Sequence, residues 1–325
     1  MKIGVGVYGD NGHQIHRMLP NTPNSLVDIV GVCCCKKGEQ WTNAVVYSSL
    51  EEMLKDEKIQ LVSLCSPRRD KQAADAILCL EAGKHVYAEK PCAMNEDELD
   101  LIIKTAQKTG KQFHEMAGTA FMQPYYEMGK IVKGGRIGEV VQVFAQKSYS
   151  PALERRPGDE GIDGGLIGQN GIHAIRMIEH VTGLEITDVE ATETKLGNKN
   201  KGELHMAASI IARLSNGGVA SCVINYLNPQ QGFGSHTNEH LRIFGTLGFV
   251  ESVDGGCKTR LVLNDQDRGE LDLSEPGLDY FDLFISSISG QGEMPLSIEH
   301  ELHPTRVVIR AKQNADSKKV QINNR

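Results

Sequence analysis

Long apolar segments are missing from this 325-residue chain. No run approaches the ~20 consecutive apolar residues that a membrane-spanning helix needs. The first residues, Met1 to Val7, enter a strand pattern directly and show neither the apolar core nor the small-residue cleavage site of a signal peptide. We therefore expect a cytoplasmic protein without a membrane partner.

Paired cysteine motifs and a basic excess are missing as well. The eight cysteines are scattered and form no C-x-x-C pair, so the sequence predicts no metal site and no redox dithiol motif. The run Cys33-Cys34-Cys35 is interpreted as buried, reduced thiols at a strand end. The formal net charge of −7 argues against nucleic acid as the main partner.

What is present is typical of a two-domain globular protein. The chain is longer than a single hydrophobic core usually spans, and its 40% hydrophobic and 24% charged residues are ordinary. Residues 1–120 alternate strand and helix patterns, which predicts an α/β domain with a doubly wound parallel sheet of the Rossmann type. Later strands, such as Ala207–Leu214 and Val219–Tyr226 around a Gly-rich turn, are typical of antiparallel hairpins. We expect an α+β domain over 121–325.

The turn after the first strand is a candidate dinucleotide site. A literal G-x-G-x-x-G occurs at Gly4, Gly6 and Gly9, but its first two glycines lie inside the strand, so we interpret the match as coincidental. The relevant turn begins at Gly9. Asn11 tolerates the left-handed conformation, and Gly12 follows one residue late. A helix beginning there would present free N–H groups to a pyrophosphate, although a plain strand-to-helix turn explains the pattern equally well.

The end of the second strand lacks the carboxylate that usually holds the ribose hydroxyls. The strand ends instead at Cys34, with Lys36 and Lys37 close behind. Without an acid at this position, the 2′-phosphate of NADP is not repelled, and a nearby lysine attracts it. Lysines commonly lie on solvated loop edges, so both NAD and NADP remain open.

Several segments resemble the glucose–fructose oxidoreductase/inositol dehydrogenase (Gfo/Idh/MocA) superfamily. They include EAGKHVYAEKP at Glu81–Pro91, GRIGEV at 135–140, GGLIGQNGIH at 164–173 and FGTLG at 244–248, with weaker agreement at Ser49–Leu54 and Val62–Pro67. The resemblance implies a Rossmann domain followed by an α+β domain with a large, mostly antiparallel open sheet. It also implies NAD(P)-dependent oxidation or reduction of a carbinol carbon in a sugar, polyol or related compound, and a homodimer or homotetramer.

The same resemblance implies the catalytic residues, which we expect to be Lys90, His173 and Gln169. Lys90 corresponds to the lysine of the E-K-P string near substrate and nicotinamide, and His173 to a catalytic histidine suited to general-base work near neutral pH. The chain departs from the pattern at three positions: Gln169 and Arg176 stand where aspartates are usual, and Lys71 where a histidine is usual. At α-helical spacing Gln169, His173 and Arg176 share one face.

Further site residues complete the prediction. The cofactor-binding candidates are Gly9, Asn11, Gly12, His13, Cys34, Lys36, Ser66, Pro67, Glu89 and Lys90. The substrate-binding candidates are Lys90, Tyr149, Gln169, Asn170 and His173, with Arg155 and Arg156 as weaker ones.

Three functions stay open on these residues. The first is a dehydrogenase or reductase acting on the CH–OH group of a sugar or polyol. The second keeps a tightly bound NAD(H) but cleaves a glycosidic bond by oxidation, elimination and return of the hydride. The third is a regulatory protein that binds a dinucleotide without catalysis, which the degenerate glycine turn and Gln169 favour and which Lys90 and His173 oppose.

Overall fold

The structure, a computed structural model, consists of two compact units. Residues 2–13, 26–36, 41–116, 118–229 and 237–322 are described. Unit 1 comprises residues 1–116, 161–164 and 280–302, and unit 2 comprises residues 117–160, 165–279 and 303–325. Across the described ranges, no helix has both the length and the apolar character that crossing a membrane requires.

Unit 1 is built on a six-stranded parallel sheet of order β3-β2-β1-β4-β5-β6. Its strands are β1 (Ile3–Tyr8), β2 (Val27–Cys33), β3 (Val45–Tyr47), β4 (Leu61–Leu64), β5 (His85–Ala88) and β6 (Phe113–Glu115), and its first helices are α1 (Leu50–Leu54), α2 (Gln72–Glu81) and α3 (Glu96–Thr109). This is the strand order of dinucleotide-binding folds, in which ligands lie at the carboxyl ends of the strands where the order reverses. The predicted parallel Rossmann sheet is confirmed.

Local sequence signals explain these elements well. Gly4 lies inside β1, and a Cβ there would come within 1.9 Å of the Lys58 carbonyl oxygen, so this glycine serves strand packing, as predicted. Ser49 caps α1 by accepting the Glu52 N–H at 3.2 Å. Asn95 caps α3, which ends at Gly110 in the left-handed conformation (φ 64°). The helix expected between Gly12 and Pro20 falls outside the described residues.

The chain returns to unit 1 near its carboxyl end, contrary to the linear division at residue 120. The helix α7 (Tyr280–Ile288) and the start of α8 (Ile298–Ile322) belong to it, together with residues 161–164. The reason is hydrophobic burial: Phe281, Phe284 and Ile285 join one core with residues of the parallel sheet, among them Val5, Leu61 and Tyr87.

Unit 2 carries an eight-stranded sheet of order β14-β13-β12-β11-β7-β10-β9-β8. Its strands are β7 (Val140–Tyr149), β8 (Ile186–Thr194), β9 (Ala207–Leu214), β10 (Val219–Asn225), β11 (Thr237–Gly245), β12 (Gly248–Val253), β13 (Lys258–Leu263) and β14 (Asp267–Glu270). Among the described strands of this sheet, only the β7–β10 pair is parallel, which confirms the expected large, mostly antiparallel sheet.

Helices cover one face of this sheet. They are α4 (Tyr125–Lys133), α6 (Ile172–Thr182) and the later part of α8. The short α5 (Glu160–Asp163) begins in unit 2, and its remaining residues belong to unit 1. Apolar residues of the helices and strands, such as Met128, Ile175, Val143 and Ile210, form one buried core. Ile211 and Val219 are exposed large hydrophobic residues on neighbouring strands.

Candidate active site

The glycine turn at the end of β1 lies at the carboxyl edge of the parallel sheet. Gly9 (φ 71°) and Gly12 (φ 139°) take the positive φ angles, so the left-handed residue of the turn is Gly9 and not Asn11. Asn11 instead uses its side-chain amide, which donates to the Pro67 carbonyl (3.2 Å) and the Ile162 carbonyl (2.5 Å). The Gly9 N–H donates to the Cys33 carbonyl at 2.9 Å, which ties the turn to the end of β2.

Glu89 is a fully buried carboxylate that organises this turn from the end of β5. Its Oε2 accepts the His13 backbone N–H (2.5 Å) and lies 3.0 Å from His13 Nδ1. Its Oε1 accepts the Lys90 backbone N–H at 3.0 Å. A Cβ on Gly12 would lie 2.6 Å from Oε2, so only glycine fits against the carboxylate.

The charge state of Glu89 follows from its neighbours. Burial alone would raise the pKa of the carboxyl, but the hydrogen bond from His13 and the positive charges of Lys90, His13 and Arg69 outweigh burial and lower the pKa to about 2. The Lys90 Nζ lies 3.9 Å from Oε1, and the lysine is only 3% exposed. Lys90 is therefore a buried side chain held next to a carboxylate that is ionised at neutral pH.

Arg69 and Gln72 link the segment Glu89–Pro91 to the glycine turn through hydrogen bonds. Arg69, buried in the 3₁₀ turn Arg69–Lys71 that precedes α2, donates to the Asn11 carbonyl (2.5 Å) and to the Gln72 side chain. The Gln72 amide donates to the carbonyls of Glu89 and Pro91 on either side of Lys90. These bonds fix the backbone around Lys90 from both directions.

The end of β4 and residues 161–164 border the same corner. Ser66 is buried and donates to the Asp75 carboxylate at 2.6 Å, whereas Pro67 is exposed beside the turn. Gly164 (φ 96°) lies against the ring of Pro91, where a Cβ would come within 2.6 Å of Cγ. Close packing against Pro91 within unit 1 therefore explains the glycine at position 164 of this motif.

The end of β2 differs from its prediction. The strand stops at Cys33, which is buried, and Cys34 turns outward in the left-handed region (φ 54°) and is exposed. The expected burial of all three thiols was therefore wrong for Cys34, and Cys35 is only half-buried. Lys36 is exposed at the same edge of the sheet.

His173 lies near the start of α6 in unit 2. Its side chain is 9% exposed, and its Nδ1 lies 3.4 Å from the Thr119 hydroxyl. The Tyr149 ring at the end of β7 meets the imidazole edge-on, with 6.3 Å between ring centroids. A hydroxyl contact and an aromatic contact thus set the orientation of this imidazole.

Gln169 lies in a π-helical segment, Ile167–Gly171, that precedes α6. The step from Gln169 to His173 therefore passes through a π-turn rather than an α-helix, whereas His173 and Arg176 both lie within α6. Single π-turns commonly occur at functional sites. Asn170 is completely buried and donates to the carbonyls of Lys147 and Asn225, both at 3.2 Å, so it joins β7 to β10.

Lys147 and Glu239 form a buried ion pair that the sequence reasoning missed. The two residues are direct partners across β7 and β11, and their charged groups are in contact. Burial lowers the pKa of the Lys147 ammonium, and the Glu239 carboxylate opposes that shift. The Lys147 Nζ also lies 4.9 Å from the centre of the Tyr149 ring.

The two arginines named as weaker candidates have different environments. The Arg156 guanidinium stacks over the Tyr226 ring at 3.7 Å and lies 5.6 Å from the Tyr149 ring. The Arg155 side chain is 85% exposed and lies 3.6 Å from the Glu154 carboxylate. Arg156 therefore packs against the rings of Tyr226 and Tyr149, whereas Arg155 is a surface residue.

One cluster in unit 2 contains residue types that can bind a metal ion. Atoms of Glu160, Glu193 and His205 lie within 4.8 Å of one another. The Lys312 ammonium contacts both carboxylates, at 2.8 and 2.6 Å. Burial would raise the pKa of Glu160, but hydrogen bonds from His205 and Lys312 lower it to about 2. The cluster is thus an ion-pair network with its own cation.

Comparison with known families identifies this arrangement. The model described as "Oxidoreductase family, NAD-binding Rossmann fold" of the Gfo/Idh/MocA group matches residues 3–116, and the Gfo/Idh/MocA C-terminal domain matches residues 125–251. The chain belongs to the Gfo/Idh/MocA oxidoreductase family and carries its NAD-binding Rossmann domain. The predicted family and the nicotinamide dinucleotide cofactor are confirmed.

Several curated relatives are named as dehydrogenases. The chain is 23% identical to myo-inositol 2-dehydrogenase of Thermotoga maritima over 228 residues, which cover 69% of this chain and 65% of that protein. It is 29% identical to D-glucoside 3-dehydrogenase of Escherichia coli over 190 residues, covering 56% and 53%. The match thus spans less than two thirds of either relative.

Solved structures share the fold along the whole chain. A Bordetella pertussis dehydrogenase, WlbA, solved with NADH and UDP-GlcNAcA, superposes with a TM-score of 0.80 at 19% identity, covering 98% of this chain and 96% of its own. An aldose-aldose oxidoreductase of Caulobacter crescentus has a TM-score of 0.79 at 20% identity and 98% coverage of both chains. At these identities the likeness establishes the fold.

Proposed function

We propose that the chain is an NAD(P)-dependent dehydrogenase or reductase acting on a CH–OH carbon of a sugar, polyol or sugar derivative. The observation that carries the proposal is the buried Lys90 at the carboxyl end of β5, held beside the glycine turn by Glu89. Ligands of such sheets lie at this edge. The names of the inositol and glucoside dehydrogenases among the relatives support the substrate class.

The proposed cofactor fits the residues of unit 1. The strand order reverses beside the turn of Gly9 and Gly12, and the exposed Cys34 and Lys36 stand at the neighbouring strand end. These residues would hold the pyrophosphate and ribose side of the dinucleotide. Bound nicotinamide supplies a hydride acceptor or donor.

The proposed roles of the protein groups follow from their charge. Lys90 would bind the oxygen of the reacting hydroxyl and lower its proton affinity through local positive charge. His173 would take the proton from that oxygen, which an imidazole can do near neutral pH. Gln169 can donate or accept a hydrogen bond but cannot carry the proton.

Unit 2 supports a neutral, polyhydroxylated substrate. The Lys147–Glu239 pair offers both a donor and an acceptor with no net charge, close to the Tyr149 ring. Vicinal hydroxyl groups need such mixed donors and acceptors, and the C–H face of a sugar packs on an aromatic ring. We therefore include Lys147 and Glu239 among the proposed substrate-binding residues.

Oxidation of a neutral sugar or polyol is the expected activity. The test is NAD(P) reduction with a panel of inositols, aldoses and glycosides, alongside sugar acids of matched configuration. We expect turnover with neutral members of the panel. Absence of dinucleotide reduction, combined with cleavage of a glycoside and no net redox change, would replace this function with the redox-neutral one.

NADP is expected to bind at least as well as NAD, because no acid stands at the end of β2 and Lys36 is exposed there. Calorimetry with the oxidised and reduced forms of both dinucleotides measures this. Lys36→Ala should weaken NADP about tenfold, equivalent to roughly 1.4 kcal/mol, and leave NAD affinity unchanged.

The matched control is Lys58→Ala, an exposed lysine near the amino end of β1. It should alter neither affinity. A strong preference for NAD that persists in Lys36→Ala would refute the argument from β2. No heat with any of the four dinucleotides would refute the site itself.

Gln169→Asp restores the residue usual in the family and separates two explanations of the departure. If Gln169 is adapted to this protein's own substrate, which we expect, the substitution should lower turnover on that substrate at least tenfold. The readout is turnover and KM on the panel, with calorimetry showing unchanged dinucleotide binding. Higher turnover on common sugars would instead show that Gln169 is a degraded aspartate.

A further inference from the structure

Two adjacent thiols lie next to each other at the end of β2. The Sγ atoms of Cys33 and Cys34 are 3.6 Å apart. Cys33 is buried and Cys34 is exposed. The third cysteine of the run is engaged elsewhere, since the Cys35 thiol lies 3.7 Å from the Val7 carbonyl oxygen.

The exposed sulfur is the one that meets an oxidant first. Burial raises the pKa of the Cys33 thiol to about 12, with a further contribution from its hydrogen bond to Cys34, so Cys33 stays protonated. Thiol oxidation follows accessibility and thiolate character, and a second thiol within reach converts the first oxidation product into a disulfide. Cys34 and Cys33 are placed for these two roles.

A bond between these sulfurs would act on the glycine turn. The carbonyl of Cys33 belongs to the peptide group between the two cysteines, and it accepts the Gly9 N–H at 2.9 Å. Adjacent Cα atoms are about 3.8 Å apart, whereas the Cα atoms of a relaxed disulfide are roughly 4.4–6.8 Å apart. Closing the ring therefore strains that peptide group and the hydrogen bond it makes. Cys34 already has a positive φ of 54°, which is uncommon for a residue with a side chain.

We propose that Cys34 is a site of reversible oxidation by hydroperoxides, that Cys33 resolves it to a vicinal disulfide, and that this disulfide weakens dinucleotide binding. The Cys34 thiolate attacks the hydroperoxide, which breaks the O–O bond and leaves a sulfenic acid and an alcohol, or water from hydrogen peroxide. The Cys33 thiol then attacks the sulfenic sulfur, the S–O bond breaks, and the thiol proton leaves with the hydroxyl group as water while the S–S bond forms. Two thiols lose two electrons in total, and one peroxide gains them.

The strain makes this modification reversible. Strained, exposed disulfides have higher reduction potentials than structural ones and are readily reduced by small thiols. The inference rests on the dinucleotide site of the proposed function, because its consequence is measured there.

The experiment compares NAD and NADP affinity of the full chain by calorimetry before and after treatment with hydrogen peroxide, and again after dithiothreitol. We expect at least a tenfold loss of affinity on oxidation and full recovery on reduction. Mass spectrometry of the peptide carrying the three cysteines should show the loss of two hydrogens after oxidation. A failure to bind any dinucleotide in the reduced state would refute the proposed function instead, so the two failures are distinguishable.

Three serine variants assign the sulfurs. Each is compared with its own untreated affinity. Cys34→Ser should show no change with peroxide. Peroxide should lower the dinucleotide affinity of Cys33→Ser, and dithiothreitol should not restore it. Without Cys33, the sulfenic acid on Cys34 is not converted into a disulfide and is oxidised further to sulfinic acid. Cys35→Ser is the matched control and should respond like the unsubstituted protein.

Two results would overturn the proposal. One is a disulfide mapped between Cys33 and Cys34 without any change in dinucleotide affinity. The other is a peroxide response that survives in Cys34→Ser or disappears in Cys35→Ser.

Discussion

Replacing His173 by alanine is expected to lower turnover by roughly 10²–10⁴-fold, the usual scale for a positioned acid–base group. The imidazole is nearly buried between the Thr119 hydroxyl and the Tyr149 ring, which hold it in one orientation. Lys90→Ala should cause a loss on the same scale, because the cation that stabilises the deprotonating hydroxyl is removed. Steady-state kinetics on the substrate found in the panel measure both.

The double variant shows whether the two residues serve the same step. If they do, its loss should be far smaller than the product of the single losses, since residues acting as a unit are not additive. His180→Ala is the matched control: it lies on the same helix and packs against Phe121, so it should affect thermal stability more than turnover. Near-normal turnover of His173→Ala would leave the histidine with a structural role only.

The parallel half of the fold was predictable because its signals are local. The Ser49 and Asn95 caps and the helix end at Gly110 are each decided within a few residues of sequence, and the structure contains all three. The return of α7 to unit 1 was not predictable in this way. The sequence shows that Phe281 and Phe284 are apolar residues of a helix, but it does not show which of the two sheets that helix packs against. The structure places both residues in the core of the parallel sheet.

The same distinction between local and long-range information applies to the candidate site. Lys90 and His173 were found through motifs, and the structure places them at a strand end and on a helix as expected. Asn11 was assigned the wrong task, because its tolerance of positive φ says nothing about the carbonyls its amide can reach. Lys147 carried a usable signal, since it interrupts the buried apolar positions Val143 and Ala145 of β7, but its partner Glu239 is 92 residues away.

Glu89→Gln is expected to lower the free energy of unfolding by roughly 3–5 kcal/mol, the cost of leaving buried charges without their partner. The amide retains the shape of the carboxyl group and can accept one hydrogen bond, but it no longer balances the charges of Lys90 and Arg69. Dinucleotide affinity should fall at least tenfold as well, because the His13 N–H and the glycine turn lose their anion. Chemical denaturation and calorimetry measure the two effects.

The pH dependence gives this prediction its sharper test. The pKa of Glu89 is lowered from 4.5 to about 2, so its carboxylate stabilises the folded state fully above 4.5 and loses that contribution as the pH falls from there towards 2. The difference in stability between the unsubstituted protein and Glu89→Gln should therefore be largest near neutral pH and shrink below about pH 5. Glu57→Gln, at an exposed carboxylate of the same unit, is the control and should change stability little at any pH. A Glu89→Gln protein whose stability and dinucleotide affinity match those of the parent at neutral pH would show that the buried charge does not hold the turn. Lys90 would then need another explanation for its position.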